Sequence, residues 1–203
     1  MQDRILPAVS LRGLFEALVA GALAATRSQA SRPVADYLVD LMGERVRSAP
    51  PGEEEERGPE PTLAEALLAA RLERGSERIP RLRALGDRAL FVSGFFGDCL
   101  SRSLVDIDYY GDVGRLAYGD LAATLGRGQG ARSFSALYEE LADRFLELVD
   151  VLAEVSDRTC AGRPPDLLRI YERYLRTGSP RDLRRLLRRG CLPSGPTGVR
   201  FWQ

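Results

Sequence analysis

Apolar residues recur every three or four positions along most of this 203-residue chain, which is the spacing of one face of an α-helix. The first such segment runs from Leu11 to Ala25, and Ser10 stands ahead of it as an N-cap. In the second, Ser31 and Pro33 supply the start signal. Its apolar stripe consists of Val34, Tyr37, Leu38, Leu41 and Met42. The two patterns predict a pair of amphipathic helices.

Capping residues and prolines mark where further helices begin. Residues 62–65 read Thr-Leu-Ala-Glu, a capping box that predicts a third helix ending near Gly75. A fourth helix opens around Pro80 and is apolar on nearly all sides towards Phe96, which places it at the centre of the molecule. A strand over Ala89 to Phe96 is the alternative interpretation of that apolar run.

The glycines of the fifth predicted helix, from Asp106 to Leu125, need an explanation. Each glycine within a helix costs about 1 kcal/mol relative to alanine, so close packing of a neighbouring helix must offset the cost. The glycines in question are Gly111, Gly114 and Gly119. We expect them to face the aromatic cluster of the fourth helix, which consists of Phe91, Phe95 and Phe96.

Three more helices complete the predicted fold. One long helix follows a cap at Ser133 or Ser135 and continues to Val155. Another spans 164–178, and an S-x-x-D box at 179–182 starts a short last helix that ends at Gly190.

The sequence therefore predicts an all-α fold, an irregular bundle of about seven to eight helices. We expect a single domain over 1–203, because the two helices before the acidic loop are too short to bury a core alone. That loop, 48–61, contains four prolines and five glutamates against one arginine, and is predicted to be disordered. The tail, 191–203, is predicted to be irregular.

Composition excludes several kinds of chemistry. The chain has no histidine, so serine–histidine triads, histidine zinc sites and histidine-ligated haem are ruled out. All 29 basic residues are arginines. Cys99, Cys160 and Cys191 are widely spaced and include no C-x-x-C pair, which argues against disulfides or a cysteine zinc site and favours the cytoplasm. No run of apolar residues is long enough for a membrane span. We expect no metal, no cofactor and no catalytic constellation.

The passage from Phe95 to Tyr118 is the candidate ligand-binding region, because tyrosines and aspartates beside apolar residues suit an organic ligand. Its Asp-x-Asp start at Asp106 resembles a calcium loop, but Ala117 occupies the position of the closing carboxylate. Asp106 instead fits an N-cap. The candidate ligand-binding residues are Phe95, Phe96, Asp98, Asp108, Tyr109, Tyr110 and Tyr118.

Charged residues are concentrated in two further places. Residues 163–190 contain nine arginines against three acids. We expect them to meet phosphate or to pair with Glu53 to Glu56 of the acidic loop, whereas zero net charge and the lack of a motif argue against nucleic acid. The glutamates of the long sixth helix are predicted to form a solvated face, and they are Glu139, Glu140, Glu147 and Glu154.

Three passages, YLVDLM, RLRALGDRALFVSGFF and VDIDYYGDVGRLAYGDLA, resemble segments of uncharacterised proteins from arginine-rich, high-GC bacteria. The resemblance implies a bacterial helical protein of unknown function, and it assigns no functional residues.

The leading functional hypothesis is a non-catalytic cytoplasmic protein that contacts a protein partner or a second copy of itself, as a homodimer, with no role at a membrane. The faces expected to make this contact are those of residues 85–120 and the arginine-rich region. The alternative is a small-molecule-binding protein or an enzyme whose site lies between Asp98 and Tyr118.

Overall fold

The chain folds as a bundle of α-helices. The computed structural model describes residues 10–47, 61–73, 75, 77–96, 107–127, 132–159, 170–171, 174–175 and 177–188. Over these residues there is no strand, and eight helices have defined bounds: α1 (Leu11–Thr26), α2 (Arg32–Arg47), α3 (Leu63–Leu72), α4 (Arg78–Phe95), α5 (Ile107–Gly126), α6 (Arg132–Asp143), α7 (Phe145–Thr159) and α8 (Pro180–Arg188). The predicted all-α class is confirmed. The alternative strand at Ala89 to Phe96 is wrong, because that segment continues α4.

Local capping signals fixed the starts of two helices. The Ser10 hydroxyl accepts a hydrogen bond from the Gly13 amide at 3.1 Å, as expected for an N-cap of α1. At α3 the capping box is complete, since Thr62 accepts from the Glu65 amide and the Glu65 carboxylate accepts from the Thr62 amide. These contacts satisfy amides that a helix cannot pair internally.

The predicted long sixth helix is divided at Arg144 into α6 and α7. The backbone hydrogen bonds continue across the division, from the Arg144 amide to the Glu140 carbonyl at 3.0 Å and from the Leu148 amide to the Arg144 carbonyl at 2.9 Å. The predicted cap is also wrong, because α6 already begins at Arg132. Ser135 lies buried inside α6, and its hydroxyl donates to the Ala122 carbonyl on α5.

The main core lies between α4, α5 and α7, with α1 and α2 packed on its outside. Leu90, Leu121 and Leu152, one from each central helix, are completely buried. This arrangement agrees with the predicted central position of the fourth helix. None of the helices that the structure describes is long and apolar enough to cross a membrane.

Glycines allow the central helices to approach closely, but the partners differ from those expected. A Cβ atom at Gly114 would overlap with the Phe145 ring of α7 and lie 3.0 Å from the Ala89 Cβ. At Gly86 it would lie 2.5 Å from the Tyr118 ring. The expected packing of Phe91, Phe95 and Phe96 on this glycine face is therefore wrong. Those three rings pack against one another: Phe91 stacks on Phe95 with 5.0 Å between the ring centroids, and Phe96 meets both at steeper angles.

A second, smaller hydrophobic cluster lies near the C-terminus. It consists of Ile170, Tyr174 and Leu186, with Tyr171, Leu175 and Leu183 packed against them. We call the described residues from 170 to 188 the C-terminal segment. Several predicted features lie outside the described residues: the loop 48–61, Asp98, Asp106, all three cysteines and the tail 191–203.

Two glycines of α5 provide a test of the packing. Gly114→Ala should lower the free energy of unfolding by about 2 kcal/mol, because its methyl group has no room beside Phe145. Gly119→Ala is the matched control, since no atom lies within 4 Å of the position that its methyl group would take. It should raise stability by about 0.5–1 kcal/mol through helix propensity. Urea denaturation measures both, and equal effects of the same sign would contradict the described packing.

Candidate functional site

The outer side of α6 and α7 carries carboxylates that hold distant parts of the chain. Glu140 accepts a hydrogen bond from the Ser31 amide at 2.8 Å. Glu147 accepts from the Ser28 hydroxyl at 2.5 Å and from the Gln29 amide at 3.1 Å. The connection between α1 and α2 is therefore fastened to this side of the molecule.

The predicted solvated glutamate face is thus wrong for three of its four members. Glu154 is also engaged, with Arg158 at 3.3 Å and Arg181 at 3.7 Å. Glu139 is exposed, although it accepts from the Ser135 hydroxyl of its own helix. Partial burial acts to raise the pKa of Glu147, but the hydrogen bonds from Ser28 and Arg144 and the nearby Arg144 charge outweigh it and lower that pKa.

Further carboxylates of α7 hold the C-terminal segment. The Ser179 hydroxyl contacts both oxygens of Asp150, at 2.8 and 2.6 Å. Arg181 is only 3% exposed, and it donates to the Ala153 carbonyl at 2.8 Å and to Asp157. Arg185 pairs with the other Asp157 oxygen at 2.8 Å. Charge-assisted hydrogen bonds of this kind contribute about 1.5–3 kcal/mol each where they are buried.

These contacts answer part of the question raised by the arginine-rich region. Arg181 and Arg185 form ion pairs within the chain, which is the second of the two predicted roles. Their partner, however, is Asp157 of α7. The expected partners, Glu53 to Glu56, lie outside the described residues.

A cavity of about 500 Å³ lies where the C-terminal segment meets the main core. Its walls come from the end of α1, from α4, the start of α5, α7 and the start of α8. The apolar part of the lining consists of Leu146, Val149, Ala153 and Pro180. Cavities of this size between two packed units are typical small-molecule sites.

The charges that line the cavity are not evenly matched by partners. Of its four arginines, Arg144 pairs with Glu147 at 3.0 Å and Arg181 is paired as described above. The other two are Arg27 and Arg184. Across the described part of the chain, no carboxylate lies within ion-pair distance of either. Arg184 donates its Nε to the Pro180 carbonyl of its own helix, at 3.1 Å.

Arg27 has an unusual backbone conformation. It follows the last residue of α1 with φ 57°, in the left-handed region, where glycine is the usual residue. It is the one non-glycine residue with positive φ in the described ranges. Such a conformation costs about 1–2 kcal/mol for a residue with a side chain, and here it accompanies a charged side chain at the cavity.

Of the seven residues predicted to bind a ligand, the six that the structure describes lie in separate groups and do not line one cavity. Asp98 lies outside the described residues, and Asp108 lines the cavity. Tyr109 accepts a hydrogen bond from the Ala64 amide at 2.8 Å and packs against Tyr110, with ring centroids 5.8 Å apart. Phe95 and Phe96 belong to the cluster of three phenylalanine rings described above. Their proposed role in ligand binding stays a prediction.

Tyr118, the seventh, is completely buried in a different cluster. Its hydroxyl donates to Asp87 at 2.7 Å, and the Tyr37 hydroxyl donates to the same oxygen at 2.5 Å. Arg83 lies 3.5 Å from the other oxygen of Asp87, and Tyr138 packs against both tyrosine rings. This buried tyrosine–aspartate cluster joins α2, α4, α5 and α6.

Burial determines the titration of this cluster. Removal from water raises the pKa of Asp87, against the lowering effect of the hydrogen bonds from Tyr37 and Tyr118 and of the Arg83 charge. Burial and the Asp87 charge together raise the pKa of Tyr118 well above its ordinary value. The hydroxyls therefore remain protonated donors at neutral pH, and the cluster is a structural network.

No signal in the sequence would bring Arg27 or Asp150 to a common site, because they lie in different elements and no motif connects them. Arg184 was included only in the arginine-rich region 163–190. The S-x-x-D box at Ser179 indicates only a helix start. In the described residues, no group of three or more cysteine, aspartate or glutamate side chains could hold a metal ion.

The raised pKa of Asp87 predicts a pH dependence of stability that Asp87→Asn removes. The folded carboxyl keeps its proton to higher pH than the unfolded one, whose ordinary value is 3.8. Wild-type stability relative to Asp87→Asn should therefore fall as pH rises from about that value through the raised pKa, and then level off. Urea denaturation of both proteins between about pH 3 and 7 gives this difference. A difference that grows with pH would contradict the assignment.

Comparisons with protein-family models, with curated proteins and with solved structures found no match to this chain. The cavity, its lining charges and the two hydrophobic clusters around it are therefore the basis for assigning a function.

Proposed function

We propose that the chain binds a small organic molecule in the cavity between α7 and the C-terminal segment. The observation that carries the proposal is a volume of about 500 Å³ whose lining combines apolar residues with charged ones. Ligand sites commonly combine a mostly apolar lining with a few polar groups that fix orientation. The site differs from the one predicted between Asp98 and Tyr118 and shares only Asp108 with it.

The position of the cavity supports the same function. It lies between the main core and the separate cluster around Ile170 and Leu186, which are joined here by contacts of Ser179, Arg181 and Arg185. A boundary held by polar contacts can open to admit a ligand at a smaller cost than a continuous apolar core. We propose that this activity is cytoplasmic, because the wide spacing of the three cysteines argues against disulfide bonds.

Leu146 provides the test, because it is 50% exposed and lines the cavity. Fragments that bind the wild-type chain are identified by ligand-observed NMR. Leu146→Gln should weaken the binding of apolar fragments about tenfold, since it removes apolar surface from the cavity lining. Leu116→Gln is the matched control, because Leu116 is 47% exposed and does not line the cavity. The proposal is wrong if no fragment binds, or if both variants weaken binding equally.

A second candidate function, self-association as a homodimer, is favoured by an apolar face on α3 and α5. The two helices run parallel, since Ala64 meets Tyr109 and Arg71 meets Asp120 at 2.5 Å. This brings Leu68 (59% exposed) and Leu72 (83% exposed) to the side of α5 that carries Leu116. Exposed apolar residues that are grouped in this way mark interaction sites more often than isolated ones do.

Charges beside this face suit a second copy of the chain. Asp112 and Arg115 are both exposed on α5, and no ion pair joins them within the described chain. A two-fold interface uses the same patch twice, so a pairing of Arg115 of one copy with Asp112 of the other would be made twice across this face. Nucleic acid is not favoured as a partner, since Arg181 and Arg185 are already paired with Asp157.

Sedimentation velocity over a range of concentrations tests self-association. The wild-type chain should dimerise, and the double variant Leu68→Gln/Leu72→Gln should raise the dimer dissociation constant at least about tenfold by removing buried apolar area. Leu14→Gln is the control, since Leu14 is also an exposed leucine, 46% exposed, but lies on α1 instead of α3. A wild-type chain that stays monomeric at every concentration rules this function out.

A further inference from the structure

We infer that the ligand of the cavity is an organic anion whose acidic group lies between Arg27 and Arg184, and that it fastens the C-terminal segment to the main core. The inference rests on the proposed small-molecule function and specifies the chemistry of the ligand. A carboxylate and a phosphate monoester share the required chemistry, because the guanidinium fork binds the oxygens of either.

The cavity lining carries four arginines and four carboxylates, but these charges do not pair one to one. Glu147 is matched by Arg144, Asp182 lies 3.7 Å from Arg181, and Asp150 receives the Ser179 hydroxyl. Asp108, the remaining carboxylate of the lining, is also engaged. Among the described residues, Arg27 and Arg184 are the two cations of the lining without a carboxylate at ion-pair distance. An anion that enters the cavity can therefore bind these two guanidinium groups without breaking an existing ion pair.

Arg27 is held at the cavity by a backbone that favours glycine. Its amide donates to the carbonyls of Ala24 and Leu23, which closes the end of α1. The left-handed conformation makes arginine a poor choice for stability at this position. Residues in unfavourable backbone regions are concentrated at ligand sites, where the side chain has a role. Anion binding is a role that an arginine beside a cavity can fill.

The two arginines belong to different parts of the molecule. Arg27 ends α1, which packs on α7 as part of the main core, whereas Arg184 lies on α8 within the C-terminal segment. An anion held by both would join the two parts directly. It would add to the existing contacts of Ser179 with Asp150 and of Arg185 with Asp157. Ligand binding and docking of α8 are then coupled, because each favours the other.

The rest of the ligand is apolar. Leu146, Val149 and Pro180 form a surface that cannot satisfy polar groups, so the body of the ligand should be a ring or an alkyl chain. The volume of the cavity is sufficient for a molecule with one aromatic ring and a short acidic arm.

Matched pairs of acids and neutral analogues test the inference by isothermal titration calorimetry on the full chain. The carboxylate pairs are phenylacetate with phenylacetamide and 4-phenylbutyrate with 4-phenylbutanamide, and the phosphate pair is phenyl phosphate with phenol. At least one acid should bind about tenfold or more tightly than its neutral analogue. The pair with the larger ratio identifies carboxylate or phosphate as the natural group.

Arginine variants locate the acidic group. Arg27→Gln and Arg184→Gln should each lower the affinity for the best acid about tenfold. The affinity for its neutral analogue should change by no more than roughly twofold. Arg127→Gln is the matched control, because Arg127 is exposed just after the end of α5 and does not line the cavity. Acids that bind no better than their analogues overturn the inference, as does an equal loss in the control.

Hydrogen exchange tests the coupling to the C-terminal segment. The best acid should slow exchange of the α8 amides about tenfold in the wild-type chain and leave it unchanged in Arg184→Gln. Acid binding without protection of α8 overturns this part. If fragments bind in a manner sensitive to Leu146→Gln while no acid is preferred, the proposed function stands and the anion assignment fails. If nothing binds, both fail.

Discussion

The two-sided packing of α7 is the interaction on which the rest of the described structure depends. Its apolar side supplies Phe145, Leu148 and Leu152 to the main core, and Phe145 fills the space that Gly114 leaves open. Its other side presents carboxylates to both ends of the described chain, with Glu147 holding the connection after α1 and Asp157 holding α8. Apolar packing on one side positions the charges on the other. A change that moves α7 would therefore disturb the core and the cavity together.

Two kinds of polar network serve different purposes in this molecule. Around Asp87, buried tyrosine hydroxyls satisfy a carboxylate that ties four helices together, and removal of water holds the titration of the tyrosines away from neutral pH. Along α7, the nearly buried Arg181 and the mostly buried Arg185 pair with Asp157, whose side chain is 31% exposed, and join the C-terminal segment to the core. The first network specifies the fold. The second leaves a boundary that can respond to a ligand.

The cavity combines features that stability alone does not explain. Three features meet at one boundary: an arginine in a left-handed conformation, a second arginine with no carboxylate partner among the described residues, and a group of apolar lining residues. Each of them lowers stability or adds nothing to it by itself. The proposed ligand, with an acidic group and an apolar body, would account for their convergence. The binding energy of that ligand would then contribute to the docking of α8.

The sequence alone determined the helical class, the capping of α1 and α3 and the central position of α4, because these depend on residues within about one helical turn of each other. It could also have separated Tyr118 from Tyr109, since nine residues are about two and a half turns and place the two on opposite sides of α5. Only the tertiary structure decided that Phe145 covers Gly114, that Arg181 and Arg185 meet Asp157, and that Arg27 and Arg184 share a cavity. Those pairings join residues far apart in the chain. Many arginines and acids are chemically equivalent candidates, and helix packing alone selects which of them come within reach.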